Sequence, residues 1–269
     1  MMSLPESELR EFLVRNNVEC KSLRLLWEID NVRVYGLTVG GSQAINLWNY
    51  LRQLNDESKY YPLLLGGEEE IEQHQEYWER FAVPIDEIID IDAINAIINR
   101  ASILDAEKWF YDRAQEMYED EFDDEFEDGE PLEVLTNGIL GDWDGAIFPS
   151  ENFTIPSLET VVIALIPTQI CWQIPAYLNL GGWNSCPIPE EHICLMKRWY
   201  EIYGAEVVGI NHDTIEMRVT KPPLDEKTAM SLAKEQYLYC NDIVDQGTQT
   251  LSALASTLIE GSVWYFWWD

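Results

Sequence analysis

The stretch from Pro189 to Thr220, PEEHICLMKRWYEIYGAEVVGINHDTIEMRVT, decides the fold. Pro189 is suited to a first helical turn, and Glu190 and Glu191 complement the positive end of a helix there. Ile193, Met196, Tyr200 and Tyr203 follow at three- and four-residue spacing, which predicts one apolar stripe, and Gly204 supplies the stop. The period then changes from helix to strand. Glu206–Ile210 and Thr214–Thr220 read as a hairpin across Asn211, His212 and Asp213, with Ile215, Met217 and Val219 alternating against Glu216 and Arg218.

Working outward, Val161–Ile166 is a short apolar run closed by Pro167, the signature of a buried strand. Ile170–Leu180 is apolar around Pro175 and ends at Gly181 and Gly182. Beyond the hairpin, Pro222 and Pro223 break the chain. Asp225 then caps a helix that carries Ala229, Leu232, Ala233, Gln236, Tyr237 and Cys240 on one face. A second helix runs from Thr248 to Glu260, Gly261 ends it, and Val263–Asp269 is a last aromatic strand. The order βαββααβ predicts a split βαβ-like sheet with helices packed on one side, within an α+β protein built on mixed sheets.

Upstream, Leu9, Phe12 and Leu13 share one face of a short helix. Leu23–Ile29 and Val32–Val39 form a hairpin about Asp30 and Asn31. Gly40, Gly41 and Ser42 open a helix with Ile45, Trp48, Leu51 and Leu54 inward, and Tyr60–Leu65 is the next strand, giving ββαβ. From Glu68 to Tyr118 the signal is helical, interrupted by Pro84. This places an N-terminal α+β region at residues 1–115, an acidic linker or mobile loop at 116–158, and a C-terminal α+β domain at 159–269.

Several C-terminal segments carry a resemblance: GGWNSCP from Gly181, RWYEIYGAE from Arg198, KPP from Lys221, LAKEQYLYCNDIVDQGTQTLSALA from Leu232, and WYFWWD at the end. Together they resemble a bacterial domain family of unknown function, numbered 4253. The resemblance is dense over residues 160–269 and weaker over NLWNYLRQL and YYPLLLG. It implies a bacterial-type cytoplasmic protein and a C-terminal boundary. It assigns no activity and no functional residue.

Charge limits the partners. With 17 basic against 49 acidic residues the formal net charge is -32, which repels phosphate backbones and anionic headgroups, so direct nucleic-acid and membrane binding are not expected. No apolar run approaches the roughly 20 residues of a membrane span. The five cysteines show no CxxC pair and no secretory leader is evident, so the reading is cytoplasmic, without a disulfide framework. The acidity peaks between Glu116 and Glu133, and no Lys or Arg occurs between Arg113 and Lys197. Within that run Glu121, Asp123, Asp124 and Glu125 surround Phe122 and Phe126, an i, i+4 aromatic pair suited to docking on a partner.

The remaining constellations are sparse. His192 and Cys194 lie two apart with Cys186 six residues before His192, and a helix points i and i+2 about 200° apart, so no metal site is expected and their roles are read as structural. His74 and His212 read as core-edge and turn residues. Cys240, among Asn241, Asp242 and Asp245 near a helix end, is in poor surroundings for a thiolate, and Cys194 carries no better signal. Asp142–Gly145 lacks the remaining ligands of a calcium loop. Asp242 and Asp245 are expected to make turn and capping bonds, with Gly247 left-handed. No glycine spacing fits a nucleotide cradle.

No catalytic residue, cofactor or metal is therefore assigned, and the chain leans away from enzyme function. The leading expectation is an acidic interaction protein, an immunity-type inhibitor or charge mimic that binds a basic protein partner. The alternative is a small-molecule enzyme or ligand-binding domain with a pocket near the Asp242–Gly247 loop, drawing on Trp183, Tyr237, Asp242, Asp245 and Gln246. A stabilising or assembly module without a single site is a third. Oligomeric state is left open.

Overall fold

A computed structural model describes residues 5–29, 32–73, 91–122 and 131–269. The elements in chain order are α1 (Glu6–Arg15), β1 (Arg24–Ile29), β2 (Val32–Gly40), α2 (Gly41–Gln53), β3 (Tyr61–Leu64), α3 (Ile91–Ser102), α4 (Ala106–Phe122), α5 (Pro131–Asn137), β4 (Thr160–Ile166), α6 (Pro189–Tyr203), β5 (Glu206–Ile210), β6 (Thr214–Arg218), α7 (Glu226–Tyr239), α8 (Leu251–Leu258) and β7 (Val263–Trp267). Two short helical turns, Asn55–Ser58 and Ile174–Leu178, lie before β3 and between β4 and α6.

All seven strands form one mixed sheet in the order β1-β2-β4-β3-β5-β6-β7. The β1–β2 hairpin closes with Ile29 opposite Val32, as a two-residue connection requires. β4 pairs antiparallel with both β2 and β3, so β2 and β3 run parallel with a strand between them. The C-terminal order βαββααβ is met element for element. The split crossover itself falls one step earlier, at β2–α2–β3, and it is β4 that fills the gap. β3 in turn meets β5 in parallel at Leu64 and Gly209, which joins the two ends of the chain in one sheet.

Helices pack around this sheet on both faces. On β6, Ile215 and Met217 lie opposite Phe266 and Trp264 of β7, and both of those rings meet Trp199 of α6. Side chains alternate along a strand, so Glu216 and Arg218 face the other way. There the Arg218 guanidinium lies over the Trp48 ring of α2, 4.7 Å from its centroid, and donates to Asn49 Oδ1 at 2.6 Å. The polar half of the β6 alternation is thus covered rather than wet. Glu216 is fully buried, accepting from the Thr154 hydroxyl at 2.7 Å and from the Ile155 N–H at 3.2 Å.

Gly41 shows why α2 begins where it does. A Cβ there would stand 1.9 Å from the Leu158 carbonyl oxygen, so only glycine lets the helix start pass this close to the incoming β4 segment. Arg52, near the end of α2, and Arg218 each donate to one oxygen of Glu206, at 2.6 and 2.7 Å, which ties α2 to β5 and β6. Among the described residues no helix is long and apolar enough to cross a membrane.

Candidate functional site

The chain between α7 and α8 is a single wide helical turn, a π-helix over Ile243–Thr248, rather than a plain loop. Its defining bond runs from the Gln249 N–H to the Val244 carbonyl at 2.7 Å. Such turns trade helical regularity for an outward bulge and concentrate at functional sites. The left-handed residue that lets the chain leave it is Gln249, at φ 65°, and not Gly247 as the sequence led one to expect. Thr250 then caps α8 by accepting from the Ala253 N–H at 3.2 Å.

Between this π turn, α8 and the outer strand β7 lies a cavity of about 310 Å³. Ile243, Leu254, Leu258 and Val263 make it apolar, Tyr265 and Trp267 supply aromatic walls, and Asp242, Gln246 and Thr248 supply polar groups. Gln236 of α7 and Trp264 of β7 also line it. Both are 1% exposed, and neither the Gln236 Nε2 nor the Trp264 Nε1 has an acceptor. A buried donor left unpaired costs about 1–3 kcal/mol, so two on residues of one cavity wall stand out, each atom itself covered rather than open to the cavity.

The polar end is firmly held. Asp242 accepts from Gln246 Nε2 at 2.9 Å and from the Asp269 N–H at 3.0 Å. Asp245 accepts from Asn241 Nδ2 at 3.0 Å, and Ser185 Oγ donates to Asn241 Oδ1 at 3.1 Å. Asn184 Nδ2 donates to the Asp269 carbonyl. Three stretches far apart in sequence, GGWNSCP, YCNDIVDQG and WYFWWD, thereby meet at one place.

Of the sequence candidates, Asp242 and Gln246 line the cavity. Trp183, Tyr237 and Asp245 do not, although Asp245 belongs to the turn that shapes it. Asp123, Asp124, Glu125 and Phe126 lie outside the described residues, as does His74, and the side chains of Glu121 and Phe122 are likewise outside them. Asp144 Oδ1 accepts from the Ala146 N–H at 2.9 Å, an ordinary turn bond. His212 sits between Glu70 and Asp213, at 2.8 and 3.2 Å.

Sequence reasoning missed one arrangement. His192, fully buried at the second turn of α6, has its Nε2 3.5 Å from Cys186 Sγ and its Nδ1 2.6 Å from the Tyr239 hydroxyl. Desolvation pushes His192 down to about 3 and raises the Cys186 thiol, so both are neutral at pH 7. Gly181 makes the approach possible. At φ 95°, a Cβ on it would lie 1.8 Å from the Pro187 carbonyl oxygen and 2.8 Å from His192 Nε2. The signal was the six-residue interval from Cys186 to His192 across a loop–helix junction, which brings the side chains together where a continuous helix would not. Among the described residues no group of three or more His, Cys, Asp or Glu could hold a metal ion.

Residues 162–269 match the model of the domain of unknown function DUF4253. No curated protein and no solved structure matches the chain. The DUF4253 segment contains β5 through β7, β4 from its third residue on, and the cavity wall except Ser150. It also contains both the Cys186–His192 pair and Tyr239. The part before it contributes β1, β2 and β3 to the same sheet.

Proposed function

We propose that this protein binds a small molecule in the cavity beside the π turn. The observation that carries the proposal is a cavity with largely apolar and aromatic walls and a fixed polar end at Asp242 and Gln246, two of whose wall residues, Gln236 and Trp264, also carry buried donors without an acceptor. Its volume stands at the small end of ligand sites, which run from about 300 to 1,000 Å³. The occupant that completes this chemistry is a compact, partly apolar ring system bearing hydrogen-bond acceptors. Asp242 and the charge of -32 disfavour an anion. The free thiols fit a reducing compartment such as the cytoplasm.

A ligand-observed NMR screen of neutral heteroaromatic fragments tests this. Fragments that bind the native chain should be lost on Leu254→Trp, which fills the cavity, and weakened about tenfold by Gln236→Leu, a loss of roughly 1.4 kcal/mol. Absence of any binder, or equal binding to all three proteins, would sink the reading.

Charge supports a second proposal, an acidic surface that docks a basic protein. Its residues are Glu121 to Phe126 in the run from Glu116 to Glu133. The test is retention of basic proteins at low ionic strength, lost at high salt and on deletion of that run.

A further inference from the structure

We infer that the cavity beside the π turn takes a planar lactam, a ring with an N–H next to a carbonyl, and holds that edge with the main chain of Tyr265. This rests on the small-molecule reading of the cavity and adds what the occupant must carry.

β7 is the last strand of the sheet, so only one of its edges is paired. In an antiparallel ladder, residues that exchange both main-chain bonds with the partner alternate with residues whose N–H and C=O point away from it. The ends of the β6–β7 pair fix the phase. The Val219 N–H donates to the Ser262 carbonyl at 2.8 Å, and the Trp268 N–H to the Asp213 carbonyl at 3.1 Å. Even-numbered residues of this segment therefore face β6, and Val263, Tyr265 and Trp267 turn their main-chain groups outward. Their partners beyond the sheet agree: the Val263 N–H donates to the Ser150 carbonyl at 3.1 Å, and the Trp267 carbonyl accepts from Cys240 Sγ at 2.9 Å. Tyr265 stands between them. Neither its outward N–H nor its outward carbonyl has a partner among the described residues.

Ser150, Val263, Tyr265 and Trp267 all line the cavity. Ser150 closes the strand edge at one end and Cys240 at the other, so the fully open part is one residue long. An added peptide strand needs ladder bonds at every second residue along a longer edge, and the two closures exclude it. What fits is a single donor–acceptor pair. A lactam N–H donates to the Tyr265 carbonyl while the lactam carbonyl accepts from the Tyr265 N–H, as an opposing strand residue would. The rest of its ring then meets Ile243 and Leu254, and a cavity of about 310 Å³ admits a ring of that size.

The test titrates 2-pyridone and N-methyl-2-pyridone, which lacks the N–H, into the full chain carrying isotope-labelled tyrosine amides, with Tyr265→Phe assigning the resonance. The expected result is a shift of the Tyr265 amide by 2-pyridone and binding at least tenfold tighter than that of the methylated ring. Tyr265→Pro removes the outward N–H without touching the β6 ladder, a change that edge strands tolerate, and should abolish this preference. Tyr265→Ala loses the same side chain but keeps the N–H, and should retain it. Equal binding of the two pyridones, lost on Leu254→Trp, would overturn the inference and leave the cavity reading standing. Failure of both pyridones where other fragments bind would do the same, and absence of every binder would remove both readings. The Tyr265 resonance of the native chain decides the matter even where the proline variant fails to fold.

Discussion

The Trp199 indole and the Phe266 ring lie parallel, with centroids 5.6 Å apart and planes within 2° of each other. Trp199 comes from the middle of α6 and Phe266 from β7, so this stack fixes the helix to the far side of the sheet. Tyr239 and Trp264 meet the same indole edge-on, at 5.0 and 5.7 Å. Trp199→Ala should therefore lower the unfolding free energy by about 3–5 kcal/mol, read from urea denaturation. A loss under about 1 kcal/mol would mean that α6 is held by something else.

Burial of His192 makes stability depend on pH in a defined direction. Its pKa is lowered from 6.5 in the unfolded chain to about 3 in the fold, so the unfolded state takes up the extra proton. The contribution is complete above pH 6.5 and is lost as pH falls toward 3. At pH 5 the deficit relative to pH 7 should be about 2 kcal/mol. Comparing the native chain with His192→Asn between pH 7 and pH 5 isolates it: parallel pH profiles would contradict a neutral buried imidazole.

Gly181→Ala tests the close approach of the GGWNSCP turn to α6. The added methyl meets the Pro187 carbonyl and the left-handed backbone is strained, for an expected cost of at least about 2 kcal/mol. Maleimide labelling of Cys186 should accelerate in this variant as the turn opens. Gly247→Ala is the control, since its nearest contact is an ordinary 3.6 Å to the Asp242 carbonyl oxygen.

Glu206 holds two arginines at once, from α2 and β6. Glu206→Gln removes the charge while both guanidinium groups remain largely covered, with 27% and 32% of their side chains exposed. Fully buried pairs lose about 3–5 kcal/mol on such a change; partial exposure reduces the expectation to about 2–3 kcal/mol. Adding Arg52→Leu should recover part of that loss, and a purely additive double variant would argue against the coupling.

Much of the fold was legible because its signals are local. Asp225 accepts from the Thr228 N–H as an N-cap should, and Gly204 is left-handed at φ 59°, so the ends of α6 and α7 follow from a few residues each. What escaped was non-local. Nothing in the spacing of Thr160–Ile166 says that it enters between β2 and β3. Glu216, a polar residue in a clean alternation, reads as solvated until Thr154 and Ile155 arrive from sixty residues upstream in the chain to cap it. The candidate cavity was half visible: Asp242, Gln246 and Gly247 mark an unusual turn, but the donors of Gln236 and Trp264 sit in stretches whose pattern speaks only of core.

The position of β3 sets a limit on how this chain can be divided. β3 separates β4 from β5, although it precedes the first by about a hundred residues and the second by about 140. A fragment beginning at residue 159 would keep β4 and β5 but lose their shared neighbour. Two buried, β-branched strands would then present unpaired N–H and C=O groups to solvent, a template for self-association. Such a fragment is expected to aggregate unless residues 61–64 are returned to it in trans, as a peptide that can be titrated in as a missing stave.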